Sequence, residues 1–341
     1  MYFLRKLCMG LLPGILLISS FPSYAADKKE RTIGFTVYSM TSWVTWGKKG
    51  VDTIAQDTGT KVLWNSADDD VSKQISQIQQ FINQKVDAIV IAAVNSSTLA
   101  PQIEAANKAG IPVIATNMRI DGPAGQLLKA YVEPNDVGAG EGAAQSVVDV
   151  IGGKGGVVVL QGPIGQSAET DRTKGVKNIL EKNPDVKLLS IQPANWDRTK
   201  AYNLMLDWLS RYGSDIKGVI AENDDMGVGA TRALQEKGLA GKIPVGGVDA
   251  IKDGLREVKS GDFVATNLQN AAIELGMALQ VTLDVLDGKS VPKTALLNMP
   301  VIKKDRVDYF YQQLYVKPDD FLKTLPELVR KNLASNDYAN Q

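Results

Sequence analysis

The chain reads as an α/β protein built from two similar doubly wound lobes, each a parallel sheet with helices on both faces. Three observations predict this. Short apolar, β-rich runs alternate with amphipathic stretches along almost the whole sequence, the pattern of βαβ units. The length, 341 residues, calls for more than one domain. The chain also echoes itself: GIPVI at 110–114 returns as KIPVG at 242–246, and DAIVIAAVN at 87–95 returns as KGVIAEND at 217–224. In each echo an apolar strand precedes a polar cluster, in the same order.

Taken in order, strands are expected at 33–38, 61–65, 87–93 and 111–116, then at 155–161, 186–192, 217–222, 243–248 and 263–268. Helices are expected at 70–84, 97–110, 136–151, 167–182, 198–211, 226–238 and 270–287, where apolar positions recur at helical spacing. Trp64 and Trp208 fall in strand and helix patterns among leucines and read as core. The aromatic tail, YFYQQLY at 309–315 and DDFLKTLPELVRKN at 319–332, is expected to pack as an extra helix on one lobe.

The first residues address the compartment. Arg5 and Lys6 precede an apolar run, MGLLPGILLISS at 9–20, and small residues follow at Ser23 and Ala25. This is the layout of a secretory signal peptide over 1–25. The apolar run is shorter than the roughly 20 residues that span a bilayer. Cys8 is the only cysteine and there is no histidine. A mature chain would therefore hold no disulfide, no thiolate nucleophile, no imidazole base and no His or Cys metal ligand. Serine–histidine hydrolases and thiol or zinc enzymes are excluded on this composition. The 38 basic and 38 acidic residues balance, with no basic block to attract nucleic acid.

Ligands of doubly wound sheets sit beyond the carboxyl ends of the strands. Those ends are polar here: Asn65, Asn95, Asn117, Gln161, Asn223, Asp249 and Gln269. Such residues also cap helices, and capping is the reading favoured for Ser97, Asp136 and Asp225. The glycine clusters at 138–142 and 227–229 lack the full dinucleotide spacing. GKS at 288–290 has Leu283 where a phosphate loop needs glycine, and so reads as a helix-ending turn. Neither a nucleotide cofactor nor a metal is implied. A glycosidase needs two carboxyls at fixed separation, and Asp225 with Asp249 is the pair to test.

Several motifs together resemble the periplasmic pentose- and hexose-binding proteins of ABC transporters, the ribose-binding type nearest. They are Ile33–Gly50, GIPV at 110–113, QGPIGQSAETDRTKG at 161–175, QPANWDRTKA at 192–201, AENDDMGVGATRAL at 221–234 and VGGVDAIKDG at 245–254. The resemblance implies a type I fold: two lobes joined by a three-strand hinge, crossing near 133–136, 268–271 and 298–302. The expected lobes are 27–134 with 270–299, and 135–269 with 300–341. It also implies a ligand-binding set. Arg172 matches the arginine that donates to sugar hydroxyls, Trp196 the aromatic that stacks on a sugar face, and Asn223 the strand-end amide. Asp249 matches the carboxylate that accepts hydroxyls, and Gln269 the amide beside the hinge. The competing readings are a surface helix position for Arg172 and core packing for Trp196.

The first lobe departs from the pattern. Trp43 matches one of the family's paired aromatics, while Val44 replaces the other; Tyr38 and Trp46 are nearby candidates to compensate. Asn117 and Met118 stand where the family has Asp-Arg, with Arg119 one place on. Ala92 replaces an amide ligand, with Asn95 close by. The resemblance implies a monomeric periplasmic protein that closes on a monosaccharide or polyol. It would pass this ligand to an ABC permease, with a chemoreceptor as a further partner. The rival readings are a ligand-sensing subunit of a membrane receptor and the glycosidase.

Overall fold

The computed structural model describes residues 30–338; the expected signal peptide lies outside the described residues. The first layer runs β1 (Thr32–Val37), α1 (Ser42–Thr58), β2 (Lys61–Ser66), α2 (Val71–Asn83), β3 (Ala88–Ile91), α3 (Ala100–Lys108), β4 (Val113–Thr116), α4 (Gly122–Leu127) and β5 (Ala130–Pro134). The second layer follows as α5 (Asp136–Val150), β6 (Gly155–Gln161), α6 (Ser167–Lys182), β7 (Val186–Pro193), α7 (Arg198–Tyr212), β8 (Ile216–Ala221), α8 (Asp224–Glu236), β9 (Val245–Asp249), α9 (Lys252–Ser260) and β10 (Phe263–Leu268). The chain then returns through α10 (Ala271–Leu286) and β11 (Thr294–Leu297), and ends in β12 (Val301–Ile302), α11 (Val307–Tyr311) and α12 (Pro318–Ser335).

Two six-stranded sheets result, in the orders β11-β5-β4-β3-β1-β2 and β12-β10-β9-β8-β6-β7. All pairings are parallel except the short β10–β12 contact. The strand order reverses beside β1 and beside β6, which opens a crevice at the carboxyl edge of each sheet. Central strands such as β3 and β4 are buried at every position, which explains their uninterrupted apolar sequences AIVI and VIAT. The chain passes between the sheets after β5, after β10 and after β11.

Close helix contact accounts for one glycine that lowered the helical signal of α1. A Cβ on Gly50 would lie 2.1 Å from the Ala272 carbonyl oxygen, so only glycine lets α1 meet α10. Sequence periodicity missed α1 for this reason. It also missed the nine-residue α9 and the short strands β5, β11 and β12.

Three capping expectations are corrected. Asn135 caps α5 through Gly138 N–H, which frees Asp136 for Arg172. Asn223, not Asp225, caps α8. Helix α3 starts after Leu99 without a side-chain cap, while Ser97 bonds back to Asn95. Gly288, at φ +70°, does follow α10 as a turn. Trp208 is fully buried, whereas Trp64 is half-buried on edge strand β2, stacked on Phe35 at 4.7 Å.

The tail differs from expectation too. It touches both layers rather than one. Helix α11 packs on α9, with Lys259 Nζ 2.6 Å from Asp308 and Arg256 Nε donating to Tyr311 Oη at 3.0 Å. Helix α12 packs on α1 and α10, with Arg330 paired to Asp57 at 2.7 Å. Between them Tyr315 donates to the Ala250 carbonyl at 2.9 Å, and its ring lies 6.0 Å from Trp46. The grouping of all of 300–341 with the second lobe therefore does not describe α12, whose neighbours are first-layer helices.

Candidate functional site: a closed cleft between two sheets

The carboxyl edges of the two sheets meet around one tight cleft with about 20 Å³ of free room. That is far below the roughly 300–1,000 Å³ usual for small-molecule sites, so the lining side chains nearly fill the closed cleft. All eight residues predicted from sequence line it: Tyr38, Trp43, Asn117, Arg172, Trp196, Asn223, Asp249 and Gln269. Thr41, Met118 and Ala168 complete the wall.

Each side chain is delivered by a strand end or the helix after it. Tyr38 and Trp43 flank the start of α1; Asn117 and Met118 follow β4. Arg172 comes from α6, Trp196 from the β7–α7 turn, Asn223 from the mouth of α8, Asp249 from the tip of β9 and Gln269 from just after β10. Three of them adopt left-handed backbone: Asn117 at φ +62°, Trp196 at +58° and Asp249 at +115°. Asparagine tolerates this; for a tryptophan it is strained, and such strain gathers at functional sites.

The two indoles are locked. Trp43 Nε1 donates to the Gln269 carbonyl at 2.9 Å, and Trp196 Nε1 to Gln166 Oε1 at 2.7 Å. A Cβ on residue 162 would fall 2.0 Å from the Trp196 ring, so Gly162 makes the space the indole occupies. Arg172 lies 5.6 Å from the same ring and is buried. Its fork donates to Asp136 Oδ1 (2.8 Å), the Glu222 carbonyl (2.5 Å) and Gln269 Oε1 (2.6 Å), with Asp249 Oδ1 at 3.6 Å. A surface arginine does not fit this placement, and Trp196 both packs in the core and lines the cleft. Asn223 uses Oδ1 to cap α8 at 2.9 Å, leaving its Nδ2 as the group able to donate elsewhere.

Carboxylates outnumber the single guanidinium. Burial lifts Glu222 to about 8 despite its bonds from Thr173 and Gly162 N–H. It lifts Glu274 to about 8 despite bonds from Gln269 and Asn117. Burial likewise raises Asp136 and Asp249 against the pull of Arg172. Burial alone would lower Arg172, but Asp136 and Asp249 outweigh it and hold the guanidinium charged. Uncharged ligand hydroxyls suit such a site, because they donate to carboxylates and accept from the arginine and amides without adding charge.

The lips of the cleft touch. Ser96 N–H donates to the Gly165 carbonyl at 3.1 Å, Arg119 N–H to Ser167 Oγ at 2.7 Å, and Ser42 Oγ to Asp225 at 3.3 Å. The Arg119 guanidinium pairs with Asp171 across the same rim. Arg119 is thus a rim residue and does not line the cleft. Trp46 turns away under the tail, 6.2 Å from Phe321, so Tyr38 alone joins Trp43. Asn95 stays at the rim with Ser97. Asp225 pairs with Arg198 outside the cleft, which removes the carboxyl pair a glycosidase would need there. Sequence reasoning missed Asp136, Glu222 and Glu274, which hold the lining residues from behind; only the buried setting of these acids identifies them.

Residues 33–290 match the model of the periplasmic binding protein domain. The chain belongs to the periplasmic binding protein family. Within it, a xylitol-binding protein of Mycolicibacterium smegmatis is 44% identical over 315 residues, spanning 92% of this chain and 89% of that protein. A ribose import binding protein of Bacillus subtilis is 35% identical over 275 residues, 80% of this chain and 87% of its own length. A solved ABC transporter solute-binding protein from Bacillus halodurans with bound myo-inositol superposes with a TM-score of 0.79. It is 25% identical, covering 84% of this chain and 99% of that one. The fold is that of the type I periplasmic binding proteins, as the resemblance implied.

Proposed function

We propose that the protein captures one monosaccharide or sugar-like polyol between two jaws and delivers it to the permease of an ABC importer. The observation that carries this reading is the closed polar cleft, with Trp43 and Trp196 beside Arg172, Asp249, Asn117, Asn223 and Gln269. Indole faces cover the C–H surface of such a ligand, and the polar groups match its hydroxyls. The protein is a binding protein, not an enzyme. The jaws are taken as 27–134 with 270–299 and 135–269 with 300–302, with the tail spanning both. Secretion by the peptide at 1–25 into the periplasm, as a monomer, belongs to the same reading.

A ligand that contacts both jaws favours the closed form only through its higher affinity for that form. The closed outer surface is then what a permease, or a chemoreceptor, recognises. The xylitol-binding relative makes xylitol the first ligand to try.

Calorimetry against xylitol, D-ribose, D-allose, L-arabinose, D-fructose and myo-inositol tests the proposal. One tight ligand at 1:1 stoichiometry is expected, with most of its affinity lost in Asp249→Ala and in Arg172→Ala. No binding across the panel, or unaltered binding by both variants, would overturn it.

A further inference from the structure

Glu274 is buried on the first turn of α10 and is not among the residues lining the cleft, yet it holds two that are. Its Oε1 accepts from Asn117 Nδ2 at 3.1 Å, and its Oε2 from Gln269 Nε2 at 2.9 Å. Gln269 is anchored from the other side as well, because its Oε1 accepts from Arg172 Nη2 at 2.6 Å. Turning that amide over would set its NH2 against the guanidinium, two donors face to face. Asn117 has no second anchor on its side chain. With Nδ2 on Glu274, its buried Oδ1 has no hydrogen-bond partner among the protein atoms. A buried acceptor left this way is costly unless something else bonds it.

We propose that Glu274 is a positioning residue that sets the polarity of the cleft: when ionised, it holds Asn117 with an acceptor toward the ligand, and so selects a ligand hydroxyl that donates. This rests on reading the cleft as a sugar or polyol site. The chemistry of the carboxyl group supplies the logic. Ionised, Glu274 accepts on both oxygens and satisfies both amides. Protonated, one oxygen becomes a donor and one amide must turn its carbonyl inward. Arg172 keeps Gln269 from turning, so Asn117 turns and presents NH2 instead. Burial, which brings Glu274 to about 8, places this exchange within reach of mild pH. The other charged and titratable groups facing it are Arg172 from α6, Asp136 from α5, Tyr131 from β5 and Tyr38 after β1.

Glu274→Gln makes the protonated arrangement permanent with almost no change of shape. In the ligand-free protein, the side-chain amide resonances of Asn117 are followed from about pH 6 to about pH 10 by nitrogen-15 NMR. A step with its midpoint near 8 is expected in the wild type and should vanish in the variant. The same step in both proteins would overturn the proposal. Calorimetry with xylitol and its singly deoxyfluorinated analogues reads specificity, since fluorine cannot donate. At about pH 9.5, above the midpoint near 8 so that Glu274 is ionised, fluorine at one position should cost the wild type about tenfold in affinity, and Glu274→Gln no more than about twofold. Equal penalties in the two proteins would refute the assignment. If xylitol does not bind the wild type, the choice of xylitol fails, and the amide spectra still decide the role of Glu274.

Discussion

Replacing Arg172 by methionine removes the one positive charge at the centre of the cleft while keeping most of the buried volume. The guanidinium makes three hydrogen bonds of 2.5–2.8 Å, and it lies beside two buried carboxylates, Asp136 and Asp249. Removing one partner of a buried ion pair costs about 3–5 kcal/mol, because the other charge is left uncompensated. That corresponds to roughly a hundredfold to several-thousandfold in the folding equilibrium.

The loss should depend on pH, and its sign follows from the acids. Asp136, Asp249 and Glu222 all hold their protons more tightly folded than unfolded. Above the ordinary carboxylate range, and up to about 8 for Glu222, the folded state therefore binds more protons. Stability there falls as pH rises, by at most about 1.4 kcal/mol per pH unit for each group. Without Arg172, Asp136 and Asp249 lose the charge that held them down and rise further. The penalty of Arg172→Met should then grow with pH. Urea unfolding of both proteins at about pH 5.5 and about pH 8.5 measures it. A penalty below about 1 kcal/mol, or one equal at the two pH values, would refute the view of Arg172 as the counter-charge of the cleft.

Three further outcomes are expected. Gly162→Ala should push the Trp196 indole out of place, since the new Cβ would lie 2.0 Å from the ring. Calorimetry should show ligand affinity lower by about tenfold or more, and an unchanged tryptophan emission spectrum would count against this. Arg119→Ala removes the half-exposed ion pair with Asp171 across the rim, worth about 0.2–1 kcal/mol. Ligand affinity should fall by about twofold to fivefold, and ligand-free scattering should report a more open molecule. Trp46→Ala removes the ring against which Tyr315 and Phe321 pack. It should cost on the order of 3 kcal/mol and expose the tail to protease; a tail that stays resistant would show that it is held elsewhere.

The second layer was easier to read than the first. Between 155 and 268 the strands and most helices are unbroken runs, and β6, α6 and β10 match their expected bounds. Arg172, Trp196, Asn223 and Asp249 stand in motifs whose spacing survives intact. In the first layer, α1 hid behind glycines that serve its contact with α10, and β5 was too short to register. Sequence position does not separate Tyr38 from Trp46 as the compensating aromatic, because both lie within a few residues of Trp43 and only packing distinguishes them. Arg119 looked available to the ligand by position, but its guanidinium is taken by Asp171 and Asp121.

By itself the sequence determined the βαβ alternation, the two-lobe architecture and the residue types at the strand ends, because local periodicity and strand-end chemistry are written along the chain. Tertiary structure alone decided which acids stand behind the cleft, which way Asn117 and Gln269 face, and that the tail reaches both layers. Those depend on contacts between residues far apart in sequence, 157 positions from Asn117 to Glu274 and 273 from Asp57 to Arg330, and no local pattern records them.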